Sequence, residues 1–563
     1  MVNHRLVVTL IVLASVGLAS CAPPQGSRGD PVPSSTRIGP KRLIAAIQSD
    51  PNTLVNTLVI SSGQPGVAEI EEMISAGLTE ADPDGLRLPF LAEAVPSLAN
   101  GLWKLFADGT MDTTWTIRPG AAWHDGAPFT TDDLVFTLQL VRDPQLIEFN
   151  NPSFRLISGV DVIDARTITV HWSGPFINAD AIFSRGLASP LPRHVVESLY
   201  QQDKAGYHDW AYWTSKFVGT GAFRVKEFVQ SDHMTLQAND AYVLGRPKID
   251  EIEVKFIRDS NTRVANVLAG AVELTIGRDV PLDQAVEARG QWTGGKPETY
   301  AGSWMGIHPQ LVNASPAVVG NVQFRQALLH AIDRQAMVET ILHGMSSIPH
   351  AWLAPAEGEY WDIHDRVPHY EYDPRKSEQL IADLGYAKRD GFFTQADGRR
   401  LTVEIRTTGD NASHIKAIYP IADYWQRIGV ATEPVVIPVQ RQQDAEYRAT
   451  YPGFQVLRGS GGTGGMAAVL STRAGLPENN FRASGNYSRL MDPAYDALFE
   501  RYTQTIPAAE RKQLVEQAMR FFAEQQIKMG IFYDVAVVLV SNRISNVVPR
   551  RVSWNSHEWD LVN

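Results

Sequence analysis

One cysteine in 563 residues, Cys21, removes two ways of holding a fold together. An intramolecular disulfide and a cysteine-based metal centre both need a second thiol. Stability must come from buried apolar side chains, and a hydrophobic content of 44% is ordinary for a folded globular protein. A chain of this length exceeds one compact domain, so two or three are expected.

The position of Cys21 gives it a purpose. Residues 1–5 read Met-Val-Asn-His-Arg, an apolar run of 13 residues follows over 6–18, and Leu18-Ala19-Ser20 leads directly into Cys21. This is the layout of a secretory signal. The run is shorter than the roughly 20 residues that cross a bilayer as a helix. The small-small-Cys ending resembles a bacterial lipobox, which makes Cys21 the lipidated first residue of the mature chain and residues 1–20 a cleaved signal peptide. Residues 21–40 are rich in Pro, Gly and Ser and read as a tether. Loss of residues 1–20, whose only charge is Arg5, takes the formal charge from −11 to −12. That balance repels nucleic acid and anionic membranes, so membrane association is expected only through the anchor.

Beyond the tether, β-branched runs alternate with amphipathic stretches, the pattern of mixed α/β lobes. Strands are predicted over 166–172, 252–257, 401–406, 434–439 and 535–540. One helix is predicted over 322–342, with Phe324, Leu328, Ile332, Val338 and Leu342 on its apolar face. A second spans 508–524 after Pro507, and a third runs over 376–384 between Asp373-Pro374 and Gly385.

Four ordered stretches carry a resemblance. In the first, Trp115 opens a strand, and Pro119-Gly120 and the turn Trp123-His124-Asp125-Gly126 lead to Thr130, Thr131, Asp132 and Asp133 at a helix start. Pro-Gly and Asp-Gly are turn pairs, and the Thr/Asp cluster caps a helix and matches its dipole. His124 reads as a structural turn residue and Asp132-Asp133 as a solvated first turn. The second stretch is Gly219-Thr220-Gly221-Ala222-Phe223, with Asn239 and Tyr242, then Gly245 and Pro247. The third is Phe324-Arg325-Gln326-Ala327-Leu328 through Ala331-Ile332-Asp333-Arg334, and the fourth Tyr372-Asp373-Pro374 through Leu384-Gly385-Tyr386. Together they resemble the large peptide-type solute-binding proteins, the capture subunits of oligopeptide and dipeptide ABC importers.

The resemblance implies an α/β, bilobed periplasmic-binding-protein-like fold that closes on ligand. Lobe one would comprise 41–300, with an extra subdomain over 71–214. Lobe two would comprise 301–530, and residues 531–563 would return to lobe one. Crossings near 300–304 and 529–534 would form a two-strand hinge.

Catalytic motifs are poor. Gly290 to Lys296 has phosphate-loop spacing, but Pro297 stands where Ser or Thr is needed. Ser460 lacks a nucleophile elbow, and His364 and His369, five apart around Pro368, make an unconvincing metal pair. No enzyme, metal or cofactor is implied. Ligand-site candidates are Trp304 after the first crossing, Arg406 and Thr407 at a strand end, and Arg458, Gly459, Ser460 and Gly461 in a glycine-rich loop. Peptide-binding members of the family carry an Asp beside that loop for the ligand ammonium. Here Arg458 and glycines occupy the region, with no acid before Glu478. The expected function is extracytoplasmic capture of a peptide or peptide-like solute by a monomer, which hands it to a permease with cytoplasmic ATPases. Alternatives are an opine, oligosaccharide or metal chelate as ligand, a chemosensory co-receptor, or a secreted hydrolase.

Overall fold

The computed structural model describes residues 39–562 apart from 59–63, 147–148, 150, 278–279, 354, 356, 410–411, 442–443, 460 and 482–484. Cys21, the tether to residue 38 and Ser460 lie outside the described residues. Ten strands make the main sheet: β1 (Arg42–Ile47), β2 (Phe223–Val229), β3 (His233–Ala238), β4 (Glu251–Phe256), β5 (Leu274–Thr275), β6 (Gly295–Pro309), β7 (Thr402–Thr408), β8 (Ala431–Ile437), β9 (Phe454–Gly459) and β10 (Met529–Ser541). Their spatial order is β8-β7-β9-β6-β10-β5-β1-β4-β3-β2. The strands predicted within β4, β7, β8 and β10 are present, each displaced or extended by a few residues.

The central pair organises the molecule. β6 and β10 run antiparallel from Gly295 opposite Ser541 to Ile307 opposite Met529, with register shifts after Ala301 and after Met305. A strand of 15 residues is about 50 Å long at ~3.4 Å per residue. From Trp304 onward β6 also pairs with β9, whereas β10 meets β5 at Val540. The two strands therefore belong to both halves of the sheet.

Core packing follows the same division. One apolar cluster gathers Leu43, Trp115, Trp172 and Trp213, and another Met305, Phe324, Ile405 and Trp425. A third holds Trp304, Trp352, Tyr495 and Phe522, and a fourth Val264, Val267 and Ala285. β10 alternates faces and feeds all four: Phe532 enters the second, Tyr533 the third, Leu539 the fourth and Val538 the first. Each such side chain contributes about 1.5–3 kcal/mol on burial. The protein is thus a bilobed α/β fold whose lobes share two long strands.

The helices used below are α1 (Val67–Ile74), α2 (Thr131–Val141), α3 (Leu282–Gln291), α4 (Val322–His330), α5 (Arg334–Ile341), α6 (Pro374–Asp383), α7 (Ala412–Arg427) and α8 (Ala508–Gln525). The single helix predicted over 322–342 is two. Asp333 accepts a hydrogen bond from Ala336 N–H at 2.9 Å, so it acts as an N-cap and restarts the helix as α5. The apolar face survives the break, because Phe324, Leu328, Ile332 and Val338 are all buried.

The turn preceding α2 is a locked assembly. His124 Nε2 donates to the Gly221 carbonyl at 3.1 Å, and Gly219 N–H donates to His124 Nδ1 at 3.2 Å. The ring is neutral in this arrangement, and burial pushes its pKa down to about 4. A Cβ at residue 221 would lie 2.4 Å from the Ile74 carbonyl carbon, so only glycine lets this segment rest on the end of α1. Asp132 is exposed as expected, but Asp133 is buried. Its carboxylate accepts from Thr130 N–H, Arg193 N–H and the Trp123 indole at 2.9, 2.9 and 3.2 Å. The reading of both acids as solvated fails for Asp133 because α2 turns that side toward the packed loop.

Candidate functional site

The first register shift in the β6–β10 pair falls where Ser303 stands opposite Asp534 and Trp304 opposite Tyr533. A shift of this kind re-aims side chains locally, and three distant segments converge on it. Trp304 is buried, and its ring centroid lies 5.3 Å from that of Trp352. Lys528, at the end of β10, holds Nζ 4.3 Å from the Trp304 ring and 4.2 Å from the Trp352 ring. Contact of an ammonium with indole faces is attractive. Burial works against the charge and lowers the Lys528 pKa to about 7. The Trp304 indole N–H and the Ser303 hydroxyl are buried without a hydrogen-bond partner among the described residues.

Arg458 sits beside this cluster, opposite Met305 in the β9–β6 pairing. Its guanidinium pairs with the Asp534 carboxylate; the Arg458 side chain is 39% exposed and that of Asp534 only 7%. The Arg458 backbone N–H donates to His414 Nε2 at 3.0 Å, which ties the loop entrance to α7. Beyond it the glycines permit close approach. A Cβ at Gly459 would lie 2.5 Å from Lys528 Nζ, and one at Gly461 would lie 2.9 Å from the Trp304 indole. At Gly462, with φ +73°, a Cβ would lie 2.1 Å from a Glu357 carboxylate oxygen. Thr463 N–H donates to that carboxylate at 3.3 Å. Thus the acid absent from the loop's own sequence arrives from elsewhere, as Asp534 beneath Arg458 and Glu357 against the glycines.

Trp304, Arg458, Gly459 and Gly461 therefore come together, whereas Arg406 and Thr407 stand apart. Arg406 lies within β7 rather than at its end. It is buried, ion-paired with Glu404, bonded to the Tyr447 carbonyl at 3.1 Å and packed 4.7 Å from the Tyr447 ring. A guanidinium so occupied is not displayed for a ligand carboxylate. The sequence carried the signal, since Glu404 and Arg406 are two apart and share one face of a strand. Thr407 is buried, and its hydroxyl donates to the Val456 carbonyl at 2.9 Å, joining β7 to β9.

Sequence reasoning also missed Lys528, Asp534, Trp352 and Glu357. Lys528 and Asp534 are charges beside or within a long apolar strand, which was a usable signal. Nothing local marks Trp352 or Glu357. A further contact links the two halves: Asp283 on α3 pairs with Lys416 on α7 and lies 3.4 Å from His343 Nε2. Among the described residues no helix is long and apolar enough to cross a membrane.

Comparison with known proteins agrees with this architecture. Residues 93–480 match the model of the bacterial extracellular solute-binding proteins, family 5, middle region. Heme-binding protein A of Haemophilus influenzae is 26% identical over 80% of this chain and 81% of its own length. The oligopeptide-binding protein AppA of Bacillus subtilis is 24% identical over 77% of this chain and 76% of its own. The structure of AppA with a nonapeptide superposes with a TM-score of 0.69 at 21% identity, over 93% of this chain and all of that one. That of NikZ from Campylobacter jejuni with Ni(L-His) gives 0.71 at 18% identity, again over 93% of this chain and all of that one. The match of the family model over residues 93–480, most of the chain, makes this protein a member of the bacterial extracellular solute-binding proteins, family 5.

Proposed function

We propose that this solute-binding protein of an ABC importer is held outside the cytoplasm by a lipid on Cys21 and captures a peptide or peptide-like solute at the β6–β10 crossing. The observation that carries this reading is the group at the register shift: Trp304, Trp352, Lys528, Arg458, Asp534 and the glycine loop. Apolar walls with a few placed polar groups are what a small-solute site needs. The two shared strands are the hinge, with segments 300–304 and 529–534 flexing as lobe one (41–300 and 531–563, including the 71–214 subdomain) closes on lobe two (301–530). The protein acts as a monomer, and a permease with ATPase subunits receives the solute. Among the described residues at the crossing no group is arranged as a nucleophile with its base, and the solute is expected to leave unchanged.

A second reading concerns the ligand only. The half-exposed Arg458 guanidinium stands where peptide-binding relatives are expected to carry an acid, which favours a solute with an anionic group, such as a metal chelate, over one with a free ammonium. Native mass spectrometry of protein purified from its source separates the two. A retained peptide supports the first reading and a retained anionic non-peptide the second. A covalently altered product in place of a ligand would sink both.

A further inference from the structure

Three histidines outside the crossing meet on one side of lobe two. His350 comes from the segment after α5, and His364 and His369 flank the turn before α6. One ring nitrogen from each lies within 4.8 Å of the others. The His350 and His369 rings stack at 3.9 Å and 11°, and His364 packs against them at 5.4 and 5.3 Å.

The hydrogen bonds fix which nitrogens carry protons. His364 Nδ1 lies 2.8 Å from the Asp365 carboxylate, so Nδ1–H donates and Nε2 keeps its lone pair. His369 Nε2 lies 3.0 Å from the His364 carbonyl, which can only accept, so His369 Nδ1 keeps its lone pair. His350 Nδ1 is buried with no hydrogen-bond partner among the described residues. His364 and His369 therefore each hold a lone pair on the nitrogen opposite the bonded one, beside the unsatisfied His350 Nδ1. A buried imidazole nitrogen left unsatisfied is destabilising. A carboxylate behind one imidazole is the usual outer partner of a metal-bound histidine.

We infer that His350, His364 and His369 form a site for one divalent first-row transition ion of the zinc, nickel or copper class. Imidazole ligands select these ions over calcium and magnesium, which prefer oxygen. At a metal–nitrogen distance of about 2.0–2.1 Å, tetrahedral ligands lie roughly 3.3 Å apart, and because an imidazole lone pair lies in its ring plane, His350 and His369 must turn out of their near-parallel stack for both to reach one ion. His369 is the exposed member, which leaves a fourth position open to water or an exogenous donor. His350 also lines a small cavity that Lys528 and Trp304 line as well. A bound ion would pin the 350–369 segment to lobe two just behind Trp352.

The test uses untagged protein stripped with EDTA and titrated calorimetrically with ZnCl2, with Co2+ absorption as a spectroscopic check. One equivalent is expected at micromolar affinity or tighter, with the visible bands of a low-coordinate Co2+ site. His364→Ala and His369→Ala should abolish both, while the circular dichroism and melting of the metal-free protein stay unchanged. Asp365→Asn, which retains all three imidazoles, should weaken binding about tenfold. Absence of stoichiometric binding overturns the inference. So does one equivalent that persists in both histidine variants, because the ion would then occupy other residues among the 14 histidines.

Discussion

Removing the charge of Lys528 is expected to strengthen the fold. Burial takes its pKa from 10.5 to about 7. At about 1.36 kcal/mol per tenfold change in acidity, this corresponds to roughly 5 kcal/mol against the charged, folded state. The Trp304 and Trp352 faces return part of that to the ammonium, and whatever is returned raises the folded pKa and narrows the pH window in proportion. The direction with pH follows from proton counting. The unfolded chain keeps this proton up to 10.5 and the folded chain only to about 7, so within that window the unfolded state binds more protons and stability rises with pH. Below the window the cost is present in full, and above it the cost is gone. Lys528→Met keeps an unbranched apolar stem and removes the proton. Calorimetric melting of both proteins, stepped from pH 7 to pH 10.5, should show the variant more stable at the lower end and the gap closing toward the upper. A variant that is less stable at pH 7, or a gap independent of pH, would refute the reasoning.

Other expectations follow from the same observations. Cys21→Ser should move the protein from the membrane fraction to the soluble fraction; retention in the membrane would remove the anchor. Arg458→Ala takes the guanidinium away from the buried Asp534 carboxylate and should cost about 1–2 kcal/mol, discounted because the guanidinium is half-exposed, and Asp534→Asn in that background should restore part of it. If Arg458 holds an anionic solute, the same alanine variant should also weaken binding about 10- to 150-fold by isothermal titration. Gly221→Ala drives a Cβ into the backbone at Ile74 and should cost about 1–3 kcal/mol in denaturant unfolding. X-ray scattering should give a smaller radius of gyration with saturating ligand; an unchanged radius with proven binding would contradict hinge closure.

Local chemistry was legible without a structure. The Asp373 start of α6, the strands β4, β7 and β10 and the helix α8 rest on interactions within a few residues, or on apolar periodicity, and a single sequence displays both. The family resemblance likewise rests on such short stretches. What a charged side chain meets depended instead on register and on approach between remote segments. Asp333 divided one predicted helix into two because its cap competed successfully with helix continuation. Arg406 and Arg458 look alike in sequence, each near the end of a β-rich run. The pleat turns Arg406 onto Glu404 in its own strand, whereas Arg458 reaches Asp534 two strands away across β6. His364 and His369 form no convincing pair until the chain returns His350 to them. Strand periodicity states which residues share a face, but the register shift at Ser303 and the packing of β6 against β10 decide what that face meets. Those are properties of the assembled sheet.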